Sequence, residues 1–131
     1  MGRIGPGLLV FVGVTQSDDE AASRKMAEKL WHLRVFEDDD GKMNRSVADG
    51  SGDLLLISQF TLYGDTRKGR RPSWLAAAAP ERAEPLIDAV VGHLRKLGAH
   101  VETGVFRARM QIELVNDSPM TLLVETGSPA S

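Results

Sequence analysis

The sequence predicts an α/β domain with two main helices and a mixed, largely antiparallel sheet. Three observations carry that expectation. Apolar runs of strand length are interleaved with two stretches of helical periodicity. Two strand-like runs then follow each other with no helix between them. In the first of these, Met110, Ile112 and Leu114 alternate with Gln111 and Glu113, as a half-buried strand requires.

The elements follow in chain order. "GLLVFVGV", residues 7–14, is a short apolar run bounded by glycine and reads as a buried strand. Ser17 with Glu20 three residues on has capping-box spacing. Ala22, Met26, Leu30 and Leu33 then recur at helical spacing, widened by Ala27 and Trp31, so a helix is expected over about 18–34. Residues 37–53 read as a polar loop, and Asp38, Asp39 and Asp40 in it as a solvated turn rather than a cation site. "LLLISQFTLY", residues 54–63, is the strongest strand. A basic loop follows, then a second helix from Glu81 with Ile87, Val90, Val91, Leu94 and Leu97 as its apolar face. Gly98 is its expected C-terminal cap, and Pro85 fits only if the helix has barely begun there. "MQIELV" and "MTLLVE" are the expected last strands, separated by the turn-forming hexapeptide "NDSPMT", residues 116–121.

At 131 residues the whole chain, 1–131, is expected to form one domain with a real core. A net charge of −2 and a pI near 5.9 are unlike a general nucleic-acid binder, so any RNA contact must come from a local patch, and DNA is not an expected partner. There is no cysteine, which removes disulfides and thiolate zinc sites and fits a reducing, cytoplasmic setting. No apolar run approaches membrane-spanning length and no signal-peptide pattern opens the chain, so no membrane partner is expected.

Candidate chemistry is confined to two stretches. His32, His93 and His100 sit on or beside the helices and read as surface or helix-end residues. Walker and dinucleotide glycine patterns are absent. The first stretch is "SQFTLYGDTRKGRRPS". As a strand it would put Ser58, Phe60 and Leu62 on one face and Gln59, Thr61 and Tyr63 on the other. Polar groups there either bond across the sheet or meet a substrate carbonyl at the strand's end. Arg67, Lys68, Arg70 and Arg71 follow at once, either as a solvated loop or as a phosphate-contacting patch. The second stretch is the hexapeptide.

Together these stretches resemble the D-aminoacyl-tRNA deacylases. That family carries Ser-Gln-Phe-Thr-Leu on one strand and Asn-x-x-Pro-x-Thr late in the chain, matched here by Ser58–Leu62 and by Asn116, Pro119 and Thr121. "IGPGLLV" and "AEKLWHLRVFEDDDGKMN" also look like family sequence, so the resemblance covers nearly the whole chain. It implies a barrel-like deacylase fold and a homodimer. The implied reaction is hydrolysis of the ester joining a D-amino acid, or glycine, to the 3′-terminal adenosine of tRNA. Ser58, Gln59, Phe60 and Thr61 are then the catalytic stretch, with backbone N–H groups stabilising the oxyanion. Thr61 as a covalent nucleophile ranks lower, because no base is visible to activate it. Asn116, Ser118, Pro119, Met120 and Thr121 become a chiral filter, a cis-proline loop entering the partner subunit's site and rejecting L side chains. Arg67, Lys68, Arg70 and Arg71 become tRNA contacts. The RNA's own 2′-hydroxyl is implied to take part, and no metal or organic cofactor is expected.

Three departures from the family pattern stand out. The strand and hairpin that usually precede "IGPG" have no counterpart, and the natural protein is expected to extend upstream. Ser118 stands where the family has glycine, beside Met120 in place of a smaller residue. Arg107 stands where glycine is typical, and Arg109 where an acidic or polar residue is frequent. They motivate the rival reading: a degenerate, non-catalytic paralogue that dimerises and binds tRNA without cleaving it.

Overall fold

The computed structural model describes residues 2–50, 52–108, 110–117 and 120–126. In chain order come β1 (Gly7–Val12), α1 (Glu20–His32), β2 (Phe36–Glu37), β3 (Met43–Arg45), β4 (Asp53–Ser58), α2 (Pro80–Lys96) and β5 (Val101–Thr103). Single 3-10 turns occupy Val47–Asp49 and Phe60–Tyr63.

The main sheet has the order β1-β4-β5 with β4 central. Both of its ladders are parallel, from Gly7 opposite Asp53 to Val12 opposite Ser58, and from Leu54 opposite Val101 to Leu56 opposite Thr103. The only antiparallel ladder among the described residues is the short β2–β3 pair. Among the described residues the main sheet is therefore open and parallel, where a largely antiparallel, barrel-like one was expected. The α/β class and the two main helices stand.

Alternation puts Leu8, Val10, Leu54 and Leu56 on the helix-facing side. There they meet Ala27 and Leu30 of α1 and Ile87, Val90, Val91 and Leu94 of α2. Leu54 and Leu94 are completely buried. The two helices are tied by Ser23 Oγ donating to the Leu86 carbonyl at 2.8 Å and by the His93 Nε2–Glu20 Oε1 pair at 2.9 Å.

Several local expectations change. α1 is capped by Asp19, whose Oδ1 accepts from the Ala22 N–H at 2.9 Å, and not by a Ser17–Glu20 box. The loop at 37–53 contains the β2–β3 pair. Its turn is held by Asp38 Oδ1, which accepts from the N–H groups of Asp40 and Lys42. The Lys42 bond is the first cause holding the Asp38 carboxyl below its usual range. Asp38 thus serves the chain's own backbone. α2 opens at Pro80, one residue before the expected start, and carries Pro85 inside it. Pro85 has no N–H to offer the Glu81 carbonyl, a loss tolerable this near the helix start. Gly98, at φ +105°, ends α2 with the Ala99 N–H returning to the Leu94 carbonyl, the left-handed cap expected of it. Leu97 is 39% exposed and does not belong to the buried face.

The two expected final strands are absent as well. Residues 110–117 and 120–126 form no ladder, and Leu114, Val115, Leu122 and Leu123 are exposed. Alternation makes a segment fit for a sheet, but a strand exists only with a neighbour to pair with.

Candidate active site

β1 and β4 end side by side, since Val12 faces Ser58. In open parallel sheets the space beyond the strands' C-terminal ends is where ligands bind. The ladder continues for one bond more, with the Gln59 N–H donating to the Val12 carbonyl at 2.8 Å. The chain then leaves the strand and turns. The Leu62 N–H returns to the Gln59 carbonyl at 3.2 Å and the Gly64 N–H to the Thr61 carbonyl at 2.9 Å. Strand alternation therefore stops at Ser58, and the expected two-faced strand over 59–63 is replaced by the 3-10 turn Phe60–Tyr63.

That replacement sorts the candidate catalytic residues. Gln59 and Thr61, which alternation put on one face, still meet, through Gln59 Nε2 and Thr61 Oγ1. The opening N–H groups of a helical turn have no partner inside it, which leaves those of Phe60 and Thr61 as donors. The Phe60 ring is exposed, and Ser58 is separated from the group. It lines a cavity of about 170 Å³ with Glu84 and Asp88 of α2, Thr103 and Phe106. An open cleft of about 400 Å³ beyond the turn is lined by Leu62, Tyr63, Gly64, Asp65, Thr66, Arg67 and Ala76. The two spaces share no lining residue. Burial pushes the Tyr63 hydroxyl pKa up, with the Asp18 and Glu125 carboxylates adding to the shift.

The basic loop springs from a closed base. Asp65 and Ser73 exchange backbone hydrogen bonds of 2.8 and 2.7 Å. Asp65 also holds Arg67: Oδ1 accepts from the Arg67 N–H and Nε at 2.9 Å each, and Oδ2 from Nη2 at 2.7 Å. The Arg67 bonds lower the Asp65 carboxyl to about 2. Of the four candidate tRNA contacts, Arg67 is thus engaged within its own loop. Lys68, Arg70 and Arg71 are exposed, with no ion pair among the described residues.

In the hexapeptide, Asn116 Nδ2 donates to Thr121 Oγ1 at 3.2 Å, joining its two ends, and Met120 is 41% exposed. Ser118 and Pro119 lie outside the described residues, as does Arg109. Arg107 adopts φ +64°, the left-handed region, at the position where the resemblance has glycine.

Sequence reasoning passed over Trp74. Its ring meets Phe60 edge-on, centroids 5.2 Å apart at 65°. The loop carrying it is pinned by Thr15 Oγ1 to the Ala76 carbonyl, Gln16 Nε2 to the Leu75 carbonyl and the Ala78 N–H to the Val14 carbonyl. A tryptophan directly after the basic loop, outside both helical stripes and every expected strand, was the available signal. None of the three histidines lines either space, and among the described residues no cluster of His, Asp or Glu could hold a metal.

The sequence model of the family described as D-Tyr-tRNA(Tyr) deacylase matches residues 1–125. The chain belongs to this family. A D-aminoacyl-tRNA deacylase of Heliobacterium modesticaldum is 59% identical over 95% of this chain and 83% of its own. One from Symbiobacterium thermophilum is 56% identical over 96% and 83%. A solved structure described as c-Myc DNA Unwinding Element Binding Protein aligns with TM-score 0.89 and 35% identity, covering 95% of this chain and 85% of its own. The family match spans every element of the fold, both candidate stretches and the Trp74 loop.

Proposed function

We propose that the chain hydrolyses the ester of D-aminoacyl-tRNA, and of glycine mischarged on tRNA, working over its whole length as one deacylase domain. The observation that carries this reading is the turn at Gln59–Tyr63. It gathers an amide, a hydroxyl and free backbone N–H groups at the end of the central strand, in a family whose curated relatives bear the deacylase name. Water adds to the ester carbonyl, and the N–H groups of Phe60 and Thr61 hold the tetrahedral oxyanion. Collapse of the intermediate breaks the bond to the ribose 3′-oxygen, which takes up a proton and leaves as tRNA, releasing the free amino acid. The RNA's 2′-hydroxyl assists in place of a side-chain base, consistent with no histidine lining either space. Ser58 supports the strand end from its own cavity. Lys68, Arg70 and Arg71 contact phosphates, while Arg67 holds the loop.

The reading includes a homodimer in the cytoplasm. In it residues 110–115 and 120–125 pair as strands, bringing the sheet toward a barrel-like form. Asn116, Ser118, Pro119, Met120 and Thr121 of one subunit then screen the other's site. The exposed apolar residues of these segments support an intermolecular partner. Among the described residues no helix is long and apolar enough to cross a membrane. The degenerate-paralogue reading is not favoured, given relatives of 56–59% identity named for the activity.

The test is hydrolysis of D-tyrosyl-tRNA beside L-tyrosyl-tRNA, with sedimentation of the same sample. Cleavage of the D-ester alone by a dimer is the expected result. Equal cleavage of both esters refutes the filter, and cleavage of neither by a folded protein refutes the reaction.

A further inference from the structure

The reaction as proposed leaves one exposed feature without a task. Phe60 is 56% exposed and Trp74 42% exposed, and the two rings stand in edge contact. Isolated apolar residues on a surface need no explanation, but a paired aromatic platform with a pinned backbone does. Both ring-bearing segments are fixed. Phe60 sits in the 3-10 turn, and the Trp74 loop is tied to residues 14–16 by three hydrogen bonds. The Trp74 indole also packs so closely on Gly64 that a Cβ there would come within 2.5 Å of ring atom Cζ3.

The platform and the cations share one root. The Asp65–Ser73 bridge closes the basic loop directly beside Gly64 and Trp74, so Lys68, Arg70 and Arg71 rise from the aromatic pair itself. The loop 66–72 reaches at most on the order of 12 Å from that base. Aromatic faces beside a short row of cations are the arrangement by which single-stranded nucleic acid is held: bases stack and phosphates pair, without regard to sequence.

We infer that Trp74, with Phe60 beside it, is a stacking platform for an unpaired base of the tRNA acceptor end, upstream of the ester-bearing nucleotide. The inference rests on the proposed deacylase reading for the identity of its RNA, but not for its chemistry. The cations of the loop hold the flanking phosphates. The platform acts on binding of the RNA end and leaves the carbonyl chemistry to Gln59–Thr61. Trp74 is a binding residue that sets KM.

The experiment uses the full chain with Trp31 replaced by Phe, so that Trp74 is the sole indole emitter, titrated with the ribotetranucleotide ACCA. ACCA quenches Trp74 emission, and the quenching weakens in high salt. Trp74→Ala lowers ACCA affinity, read by anisotropy of a labelled strand, about ten-fold, the loss of roughly one stacked base. Trp74→Phe restores most of it, which a merely structural loss would not allow. On D-tyrosyl-tRNA, Trp74→Ala raises KM by a similar factor with kcat unchanged. Bound ACCA that leaves Trp74 emission unaltered overturns the inference. So does a Trp74→Ala protein that binds ACCA within two-fold of its parent. Quenching by ACCA in a protein that cleaves no D-tyrosyl-tRNA sustains the platform and removes the deacylase reading. Cleavage with indifference to Trp74 does the reverse.

Discussion

Gly64→Ala puts the packing at the site to a quantitative test. Gly64 has φ −66° and ψ 129°, a conformation alanine adopts freely, so the substitution carries no backbone strain. The cost is contact alone. The new methyl would lie 2.5 Å from Trp74 Cζ3, 3.2 Å from Cη2 and 3.0 Å from the Thr61 carbonyl oxygen. Carbon atoms in good contact stand about 3.5–4.0 Å apart, so the ring must retreat by about 1 Å or more. Holding the ring in place would cost about 1–3 kcal/mol of overpacking. Letting it swing away forfeits the edge contact with Phe60, about 0.5–1.5 kcal/mol. Trp74 is already 42% exposed, so the second route wins. The expected loss is about 1 kcal/mol, or about 3–5 °C in Tm for a domain of this size. Thermal melts and Trp74 emission, both in the Trp31→Phe background, read the two halves of the claim. In Gly64→Ala/Trp74→Ala the alanine at 64 should cost less than in the parent, leaving only its 3.0 Å approach to the Thr61 carbonyl oxygen. Unchanged Trp74 emission in Gly64→Ala, or the same cost with the indole removed, would refute the reasoning.

Arg107→Gly should stabilise the fold by about 0.5–1 kcal/mol in urea titrations, the left-handed strain of an arginine less the entropy glycine adds to the unfolded chain. Leu94→Ala, at a completely buried position between α2 and the sheet, should cost about 3 kcal/mol in the same assay. Gln59→Ala should lower kcat on D-tyrosyl-tRNA with little change in Tm, but by less than the roughly 100-fold of a lost oxyanion donor, because it removes the amide bonded to Thr61 Oγ1 and leaves the N–H groups of Phe60 and Thr61 in place. For Asp65 the folded carboxyl, at about 2, lies below its ordinary 3.8. Its contribution is therefore present above the ordinary value and lost as pH falls through about 2. The stability difference between the parent and Asp65→Asn should shrink over that window, with the folded value read by NMR titration of the Asp65 carboxyl carbon.

Elements that carry their own pattern were legible. The stripe of Ile87, Val90, Val91 and Leu94 and the apolar run of β4 contain the physics that buries them. The direction of pairing was not legible, because no residue of β1 or β5 says which neighbour it takes. Residues 110–117 and 120–126 show the same limit from the other side: their alternation is real and their partner is not in the fold. β2, β3 and β5 were missed because a ladder of two or three residues leaves no period to detect. At the site, the stretch Ser58–Thr61 was found by resemblance. Its geometry was not, because alternation was extended past Ser58 into a segment that turns. The pairing of Arg67 with Asp65 was hidden among four cations in five residues, where sequence cannot tell a free charge from an occupied one.

The all-parallel order β1-β4-β5 also governs how the molecule assembles. A hairpin can zip from its turn, but each ladder here closes only after the chain has travelled through a whole helix and come back. Loop closure must be met before any of those bonds forms, so the sheet is a late, slow event and the helices cannot be finished without it. The turn at Gln59–Tyr63 hangs from the last bond of the central ladder. Its geometry arrives with the final step of folding, and a refolding sample should recover hydrolysis no sooner than it recovers its buried core.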